Sequence, residues 1–182
     1  MRPASPYGCA KAFATQLARI YRQAYGLFVC NGILYNRESP RRGENFVTRK
    51  IARAVARISR GLESDLVLGN TAANRDWGNA RDYVDAMWLM LQHAEPDDYV
   101  VATGEQRSVQ QFIDPAFSVV DLPWKKYVKH DRAFERPSES HRLIGSNEKI
   151  RRTLGWKPRT SFQDLVREMV EAELAALADG AV

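Results

Sequence analysis

Helical and strand patterns alternate along the 182 residues, and that alternation predicts an α/β fold. Two neighbouring segments sharpen the prediction. Phe13, Leu17, Ile20 and Tyr21 recur at spacings of three and four before Gly26, which predicts a helix over 7–25 with one buried face. Residues 27–34 then form a mostly apolar run containing Phe28, Val29 and Ile33, the pattern of a strand covered on both faces in a parallel sheet.

The elements after that strand follow in order. Residues 35–44 are polar and contain Pro40 and Gly43, so they predict a loop at a strand end, where open α/β sheets carry binding groups. Phe46, Ile51, Val55 and Ile58 mark an amphipathic helix ending at Gly61, and residues 65–69 read as a short strand. A helix over 79–93 should turn Tyr83, Met87, Met90 and Leu91 inward and stop before Pro96. Residues 99–102 resemble a strand, and Ser108-Val109-Gln110-Gln111 fits a capping box opening a helix through Phe112 and Phe117. Thr160-Ser161-Phe162-Gln163 reads as a second box, opening a last helix with Leu165, Val166, Met169, Ala172 and Leu177 at helical spacing. There is no internal repeat and no low-complexity segment, and the final residues 178–182 are expected to fray.

Composition narrows the function classes. Hydrophobic residues make up 45% and charged residues 27%, an ordinary globular balance with enough apolar material for one sizeable core. No apolar run approaches the roughly 20 residues that span a bilayer, and the first residues lack a signal-type apolar stretch, so a cytoplasmic protein without a membrane partner is expected. Cys9 and Cys30 do not make a disulfide framework and read as reduced packing residues. His93, His130 and His141 lack metal-ligand spacing, so no metal is assigned. The net charge of +5 favours an anionic partner. Arginines dispersed through helices and loops favour a phosphorylated small molecule over nucleic acid, which calls for one dense basic face with interleaved aromatics. Trp77, Trp88 and Trp156 lie beside apolar stripes and read as packing residues.

One pair carries chemistry directly. In Ser5-Pro6-Tyr7-Gly8-Cys9-Ala10-Lys11, Tyr7 and Lys11 stand one helical turn apart on the same face, so the ammonium can favour the phenolate and let the tyrosine act as a general base. This segment resembles the catalytic-helix signature of nucleotide-sugar short-chain dehydrogenases. The resemblance continues through Cys30-Asn31-Gly32-Ile33-Leu34-Tyr35-Asn36, Glu38-Ser39-Pro40-Arg41-Arg42-Gly43, Asn45-Phe46-Val47-Thr48-Arg49-Lys50 and Arg75-Asp76-Trp77-Gly78. It goes on through Glu95-Pro96-Asp97-Asp98-Tyr99-Val100, Ala102-Thr103-Gly104-Glu105 and Leu154-Gly155-Trp156-Lys157-Pro158. In this order these motifs are similar to the GDP-mannose 4,6-dehydratases, over essentially the whole chain.

The resemblance implies the C-terminal part of a doubly wound, Rossmann-like parallel sheet plus a small mixed α/β substrate-binding domain. Residues 1–36 would end the NADP-binding domain, and 37–182 would mainly bind the nucleotide sugar, with some segments returning to the first domain. It implies conversion of GDP-mannose to GDP-4-keto-6-deoxymannose and water, with tightly held NADP taking a hydride and returning it. Tyr7 would be the base and Lys11 its partner. Lys11, Arg37 and Arg42 would join Tyr7 at the cofactor, Arg37 standing where the family usually has a histidine. Asn36, Val47, Lys50, Arg75, Arg136 and Glu139 match family contacts to GDP-mannose, and forked guanidinium donors suit a diphosphate. Ser140 and His141 depart from the family reading. The family's glycine-rich turn and its Thr and Glu elimination pair have no counterpart among the 182 residues. The expectation is therefore a dehydratase chain shortened at its N-terminal side, inactive alone and homo-oligomeric in the full-length family; the alternative is a non-catalytic remnant that retains a GDP-sugar-binding surface.

Overall fold

The helix predicted over 7–25 forms as α1 (Pro6–Tyr25), in a computed structural model that describes residues 3, 5–134 and 144–180. Ser5 caps it by accepting the Gly8 N–H at 3.1 Å, Pro6 opens its first turn, and Gly26 at φ 63 ends it in a left-handed conformation open to glycine. Its expected buried face is not buried. None of its residues is buried among the described ones, and Phe13 is 68% exposed. What holds α1 is polar: Arg22 bonds Asp98 at 2.5 Å, Arg19 bonds the same carboxylate, and the Asn31 side chain donates to the Thr15 carbonyl at 3.2 Å.

The following strand is shorter than the apolar run. β1 (Asn31–Leu34) pairs in parallel with β6 (Asp98–Val101), Asn31 opposite Asp98 and Leu34 opposite Val101. Residues 27–30 precede the point where β6 begins, so they have no ladder to join, and Leu27 and Phe28 are exposed. Both faces of the strand are thus not covered here. The predicted loop at 35–44 contains a strand, β2 (Asn36–Glu38), parallel to β5 (Trp77–Asn79) with Asn36 opposite Trp77. Its side chains are polar, which hid it from an apolar reading.

The middle of the chain follows its pattern more closely. α2 (Val47–Ser59) buries Ile51, Val55 and Ile58, while Phe46, at its N-cap, stays half exposed. β3 (Leu66–Leu68) pairs in parallel with β8 (Val128–His130), and β4 (Asn74–Arg75) runs antiparallel to β7 (Arg107–Ser108). α3 (Ala80–Gln92) buries Tyr83 and Met90 as expected. Met87 and Leu91 instead face outward with Trp88, and Asp82 and Ala86 take the inner positions. Gly78 in β5 lets the α3 ring approach, since a Cβ there would lie 2.5 Å from Tyr83.

The capping box at Ser108 forms in full and opens α4 (Val109–Ser118). α5 (Glu148–Leu154) was not anticipated from the sequence. The last helix, α6 (Phe162–Ala178), is capped by Ser161 accepting from Asp164, so the cap lies one residue beyond the predicted Thr160. Two cores result. One joins α2, α4 and α6 through Ile51, Val55, Phe112, Phe117, Leu165 and Met169, with Trp77 edge-on to Phe112 at 5.7 Å. The other packs Tyr83 and Met90 against Tyr99, Val101, Ile150 and Trp156. Trp77 and Trp156 are core residues as expected, while Trp88 is 61% exposed. Cys30 packs against the second core, whereas Cys9 is exposed.

Two buried carboxylates fix the loops between these cores. Asp76 accepts from the Thr103 and Gly104 backbone N–H groups at 2.9 and 3.0 Å and from the Thr103 hydroxyl at 2.7 Å. Asp82 accepts from the Arg159 and Thr160 N–H groups at 3.1 and 3.0 Å, while its backbone carbonyl takes the Trp156 indole N–H at 2.8 Å. Each carboxylate replaces water for several backbone donors at once. Among the described residues no helix is long and apolar enough to cross a membrane.

Candidate functional site

A cleft of about 350 Å³ opens where β2, β3 and β4 meet the start of α2. Asn36 and Glu38 enter from β2, because alternation along the strand puts them on one side and sends Arg37 to the other, where it is exposed. Arg42, Asn45 and Phe46 come from the loop before α2, and Val47, Thr48 and Lys50 from its first turn. Leu68, Gly69 and Asn70 line the end of β3, Arg75 and Trp77 the opposite wall, and Phe134 the rim. Among the described residues on these walls, Arg42, Lys50 and Arg75 are cationic and Glu38 is anionic. A net positive, partly enclosed cleft of this kind suits a polyanion.

The cationic groups are held in place by the protein. Lys50 Nζ donates to the Val67 carbonyl at 2.7 Å and stands 4.6 Å from the centre of the Phe134 ring. Arg75 donates to the Asn74 carbonyl at 2.7 Å. Arg42 lies over the Phe46 ring at 3.5 Å, and its Nε is 3.3 Å from Glu38 Oε2. The loop beneath Arg42 is fixed by Arg49, which donates to the Arg42 carbonyl at 2.8 Å and bridges to the buried Glu173 of α6 at 2.5 Å. Glu38 itself is 2% exposed and accepts the Thr48 hydroxyl at 2.5 Å. Burial pushes the Glu38 carboxyl above its ordinary value, against the Thr48 hydrogen bond and the Arg42 and Arg37 charges that oppose the rise.

Five residues singled out in the sequence meet in this cleft: Asn36, Arg42, Val47, Lys50 and Arg75. Arg37 does not line it, and neither do Tyr7 and Lys11. Those two stand together at the start of α1, Lys11 Nζ 5.7 Å from the centre of a Tyr7 ring that is 72% exposed. Arg136 and Glu139, with Ser140 and His141, lie outside the described residues. Sequence reasoning did not single out Glu38, Thr48 or Phe134. The available signal for Glu38 was its position two residues from Asn36, which in an extended segment shares a face with it. Among the described residues no group of three or more His, Cys, Asp or Glu side chains could hold a metal ion.

Two other depressions carry none of the expected residues. One of about 490 Å³ is lined by Arg19, Asp97, Asp98, Glu148, Lys149 and Arg152, with Arg19 paired to Asp98 and Lys149 to Asp97. Another of about 280 Å³ lies between Thr103, Arg107 and the start of α6.

Comparison with known proteins agrees with this geometry. Among solved structures, RMD from Pseudomonas aeruginosa, complexed with NADPH, superposes with a TM-score of 0.88 at 24% identity, over 96% of this chain and 58% of that one. UDP-glucose 4-epimerase of Thermus thermophilus, in complex with NAD, superposes at 0.80 with 26% identity, over the whole of this chain and 56% of that one. Fold and cleft thus define a Rossmann-like α/β protein of the short-chain dehydrogenase/reductase class. Residues 1–169 match the family described as GDP-mannose 4,6 dehydratase, and the chain belongs to that family. It is 55% identical over 172 residues to GDP-mannose 4,6 dehydratase 2 of Arabidopsis thaliana, covering 94% of this chain and 46% of that protein. Against the human GDP-mannose 4,6 dehydratase it is 48% identical over 189 residues, covering 94% and 51% respectively. The chain therefore spans about half the length of the curated relatives it matches.

Proposed function

We propose that this chain carries the nucleotide-sugar cleft of a GDP-mannose 4,6-dehydratase, with GDP-mannose as its ligand. One observation carries the reading: Asn36, Val47, Lys50 and Arg75, separated by up to 39 positions in the chain, line a single cleft together with Arg42. In this reading the Lys50 ammonium and the forked Arg75 guanidinium hold the diphosphate, while Arg42, on the same cleft, serves the cofactor as the family resemblance implies. The Asn36 amide offers both a donor and an acceptor to hydroxyls, and Val47 packs on an apolar edge of the ligand. Residues 1–36 form the end of a dinucleotide-binding domain, and 37–182 mainly bind the sugar nucleotide. By the family resemblance Arg136 and Glu139, which lie outside the described residues, also contact GDP-mannose.

The family activity uses NADP, and the residues here fit part of its site. An ammonium at Lys11 one turn from a phenol, both accessible, and an exposed guanidinium at Arg37 form a donor set suited to a ribose and a phosphate. When bound, NADP supplies the acceptor and donor of the hydride that leaves and rejoins the sugar. Tyr7 receives the proton of the hydroxyl being oxidised, with the Lys11 ammonium one helical turn away. The second reading, a binding surface without turnover, is favoured by the placement of Tyr7 and Lys11 on α1, outside the cleft walls. The two combine for the 182-residue chain: it binds GDP-mannose and does not convert it.

Calorimetric titration of the purified chain tests this. GDP and GDP-mannose are expected to bind saturably, Lys50→Ala and Arg75→Ala to weaken binding about tenfold or more, and GDP-mannose with NADP to yield no 4-keto product. Absence of GDP binding would refute the cleft assignment, and product formation would refute the proposed lack of turnover.

A further inference from the structure

We infer that Glu173 of α6, which does not line the cleft, is a positioning residue for ligand binding: through Arg49 it fixes the loop over 39–46 that forms part of the cleft wall. The inference rests on the cleft reading above and adds to it a residue 124 positions beyond Arg49 in the chain. A carboxylate on this face of α6 is at first sight unfavourable, since Met169 and Val170, one turn before it, are buried and burial strips a charge of its hydration. Glu173 is nonetheless 4% exposed, so its burial has to be offset by what it holds.

The loop needs such a hold. Within it the Arg42 N–H donates to the Ser39 carbonyl at 2.9 Å and the Phe46 N–H to the Gly43 carbonyl at 3.1 Å, bonds that shape turns without tying them to the body of the protein. In the first turn of α2, Thr48 and Lys50 enter the cleft, whereas Arg49 between them is drawn to α6. Its guanidinium makes two bonds at once: Nε bridges to Glu173 Oε1 at 2.5 Å, and a terminal nitrogen donates to the Arg42 carbonyl at 2.8 Å. The planar fork sets these donors at a fixed separation, so the buried carboxylate that orients one end also places the other. The position of α6 is thus carried to the backbone just before Asn45 and Phe46, which line the cleft. Another bridge from α2 to this loop, Arg53 to Glu44 at 2.5 Å, lies at the surface, where an ion pair holds little. A loop ordered in advance binds its ligand without losing conformational freedom at that moment. Glu173 thereby contributes to the cleft without touching what it binds.

Coupling between Glu173 and Arg49 tests the inference. GDP affinity is measured by calorimetry for the wild-type chain, Glu173→Gln, Arg49→Met and the double variant, at a temperature where thermal unfolding shows each to be folded. Limited trypsin digestion of the same proteins gives the rate of cleavage after Arg41 and Arg42, inside the loop. Glu173→Gln is expected to weaken GDP binding about three- to tenfold, the effect of ordering the loop only on binding, and to speed cleavage in the loop. In the Arg49→Met background the same change should alter neither quantity further, because nothing then joins α6 to the loop. A lower unfolding temperature with GDP affinity and loop cleavage both unchanged marks a purely structural pair and overturns the inference. A change in one of the two readouts without the other, or an undiminished loss in the Arg49→Met background, also overturns it, and all of these leave the cleft reading intact. Failure of the wild-type chain to bind GDP overturns both. Should Glu173→Gln not fold, Arg49→Lys serves in its place: it keeps a cation beside the buried carboxylate and lacks the fork that also reaches the Arg42 carbonyl. Its GDP affinity must then fall by a similar factor, and an unchanged affinity overturns the inference.

Discussion

Helices α1 and α2 carry the same kind of apolar spacing and end in opposite environments. In α2, Ile51, Val55 and Ile58 are buried against α4 and α6, and the face the periodicity marks is the face that packs. In α1 no residue is buried, and Phe13, Leu17, Ile20 and Tyr21 remain exposed. The helix itself forms in both cases, because its backbone hydrogen bonds are local. Burial needs a partner surface, and the hydrogen bonds that tie α1 to the rest run from Arg19, Arg22 and the Thr15 carbonyl to Asp98, at the start of β6, and Asn31. An amphipathic pattern thus reports which way side chains point and not what they meet.

Substitutions on the two sides should separate them. Phe112→Ala, in the core shared by α2, α4 and α6, is expected to lose about 3–5 kcal/mol in denaturant unfolding, whereas Phe13→Ala in α1 should change stability by no more than about 0.5 kcal/mol. Similar losses at both positions would break the comparison. The next effect concerns the polar attachment of α1. Burial raises the Asp98 carboxyl, but hydrogen bonds from Arg22, Arg19 and Asn31 outweigh it and hold its pKa at about 2, below the ordinary 3.8. A carboxyl depressed by folding stabilises the protein above its unfolded-state pKa and loses that contribution as pH falls through the folded one. The shift corresponds to about 2 kcal/mol. Asp98→Asn should therefore cost about that much at neutral pH, and its difference from wild type should shrink as pH falls from about 4 toward 2. A difference independent of pH across that range would show that charge does not secure α1.

A smaller loss is expected at the end of α1. Gly26 adopts φ 63, so Gly26→Ala should cost about 1 kcal/mol through left-handed strain alone, with nothing near its Cβ to add to it. Least of all should stability respond to Phe13→Ser, Ile20→Ser and Tyr21→Ser made together. Their expected readout is weaker binding of a hydrophobic dye, since they remove exposed apolar area without touching a core. Unchanged dye binding would show that the exposed apolar surface lies elsewhere, on Val84, Trp88 and Leu91 of α3.

Much of the cleft was legible because several of its residues sit in contiguous motifs: Asn36, Val47, Lys50 and Arg75 were singled out from the sequence and line it together. Glu38 and Thr48 were not, because a buried polar residue has no period of its own, and its role depends on the partners folding brings to it. The strand at Asn36–Glu38 was missed for a related reason, since its ladder with Trp77–Asn79 is made by backbone groups that any residue carries.

The sequence by itself determined where α1 ends, through Gly26, and where α4 begins, through Ser108, and it determined membership in the family through motifs kept in order. Both are properties of residues near one another in the chain. Tertiary structure alone decided that Trp88 faces outward while Trp156 is buried, that the apolar stripe of α1 lies open, and that Glu38 rests between Thr48 and Arg42. The physical reason is that apolar burial and the ordering of a charge depend on surfaces contributed from distant parts of the chain, and no local spacing encodes which of them will be opposite.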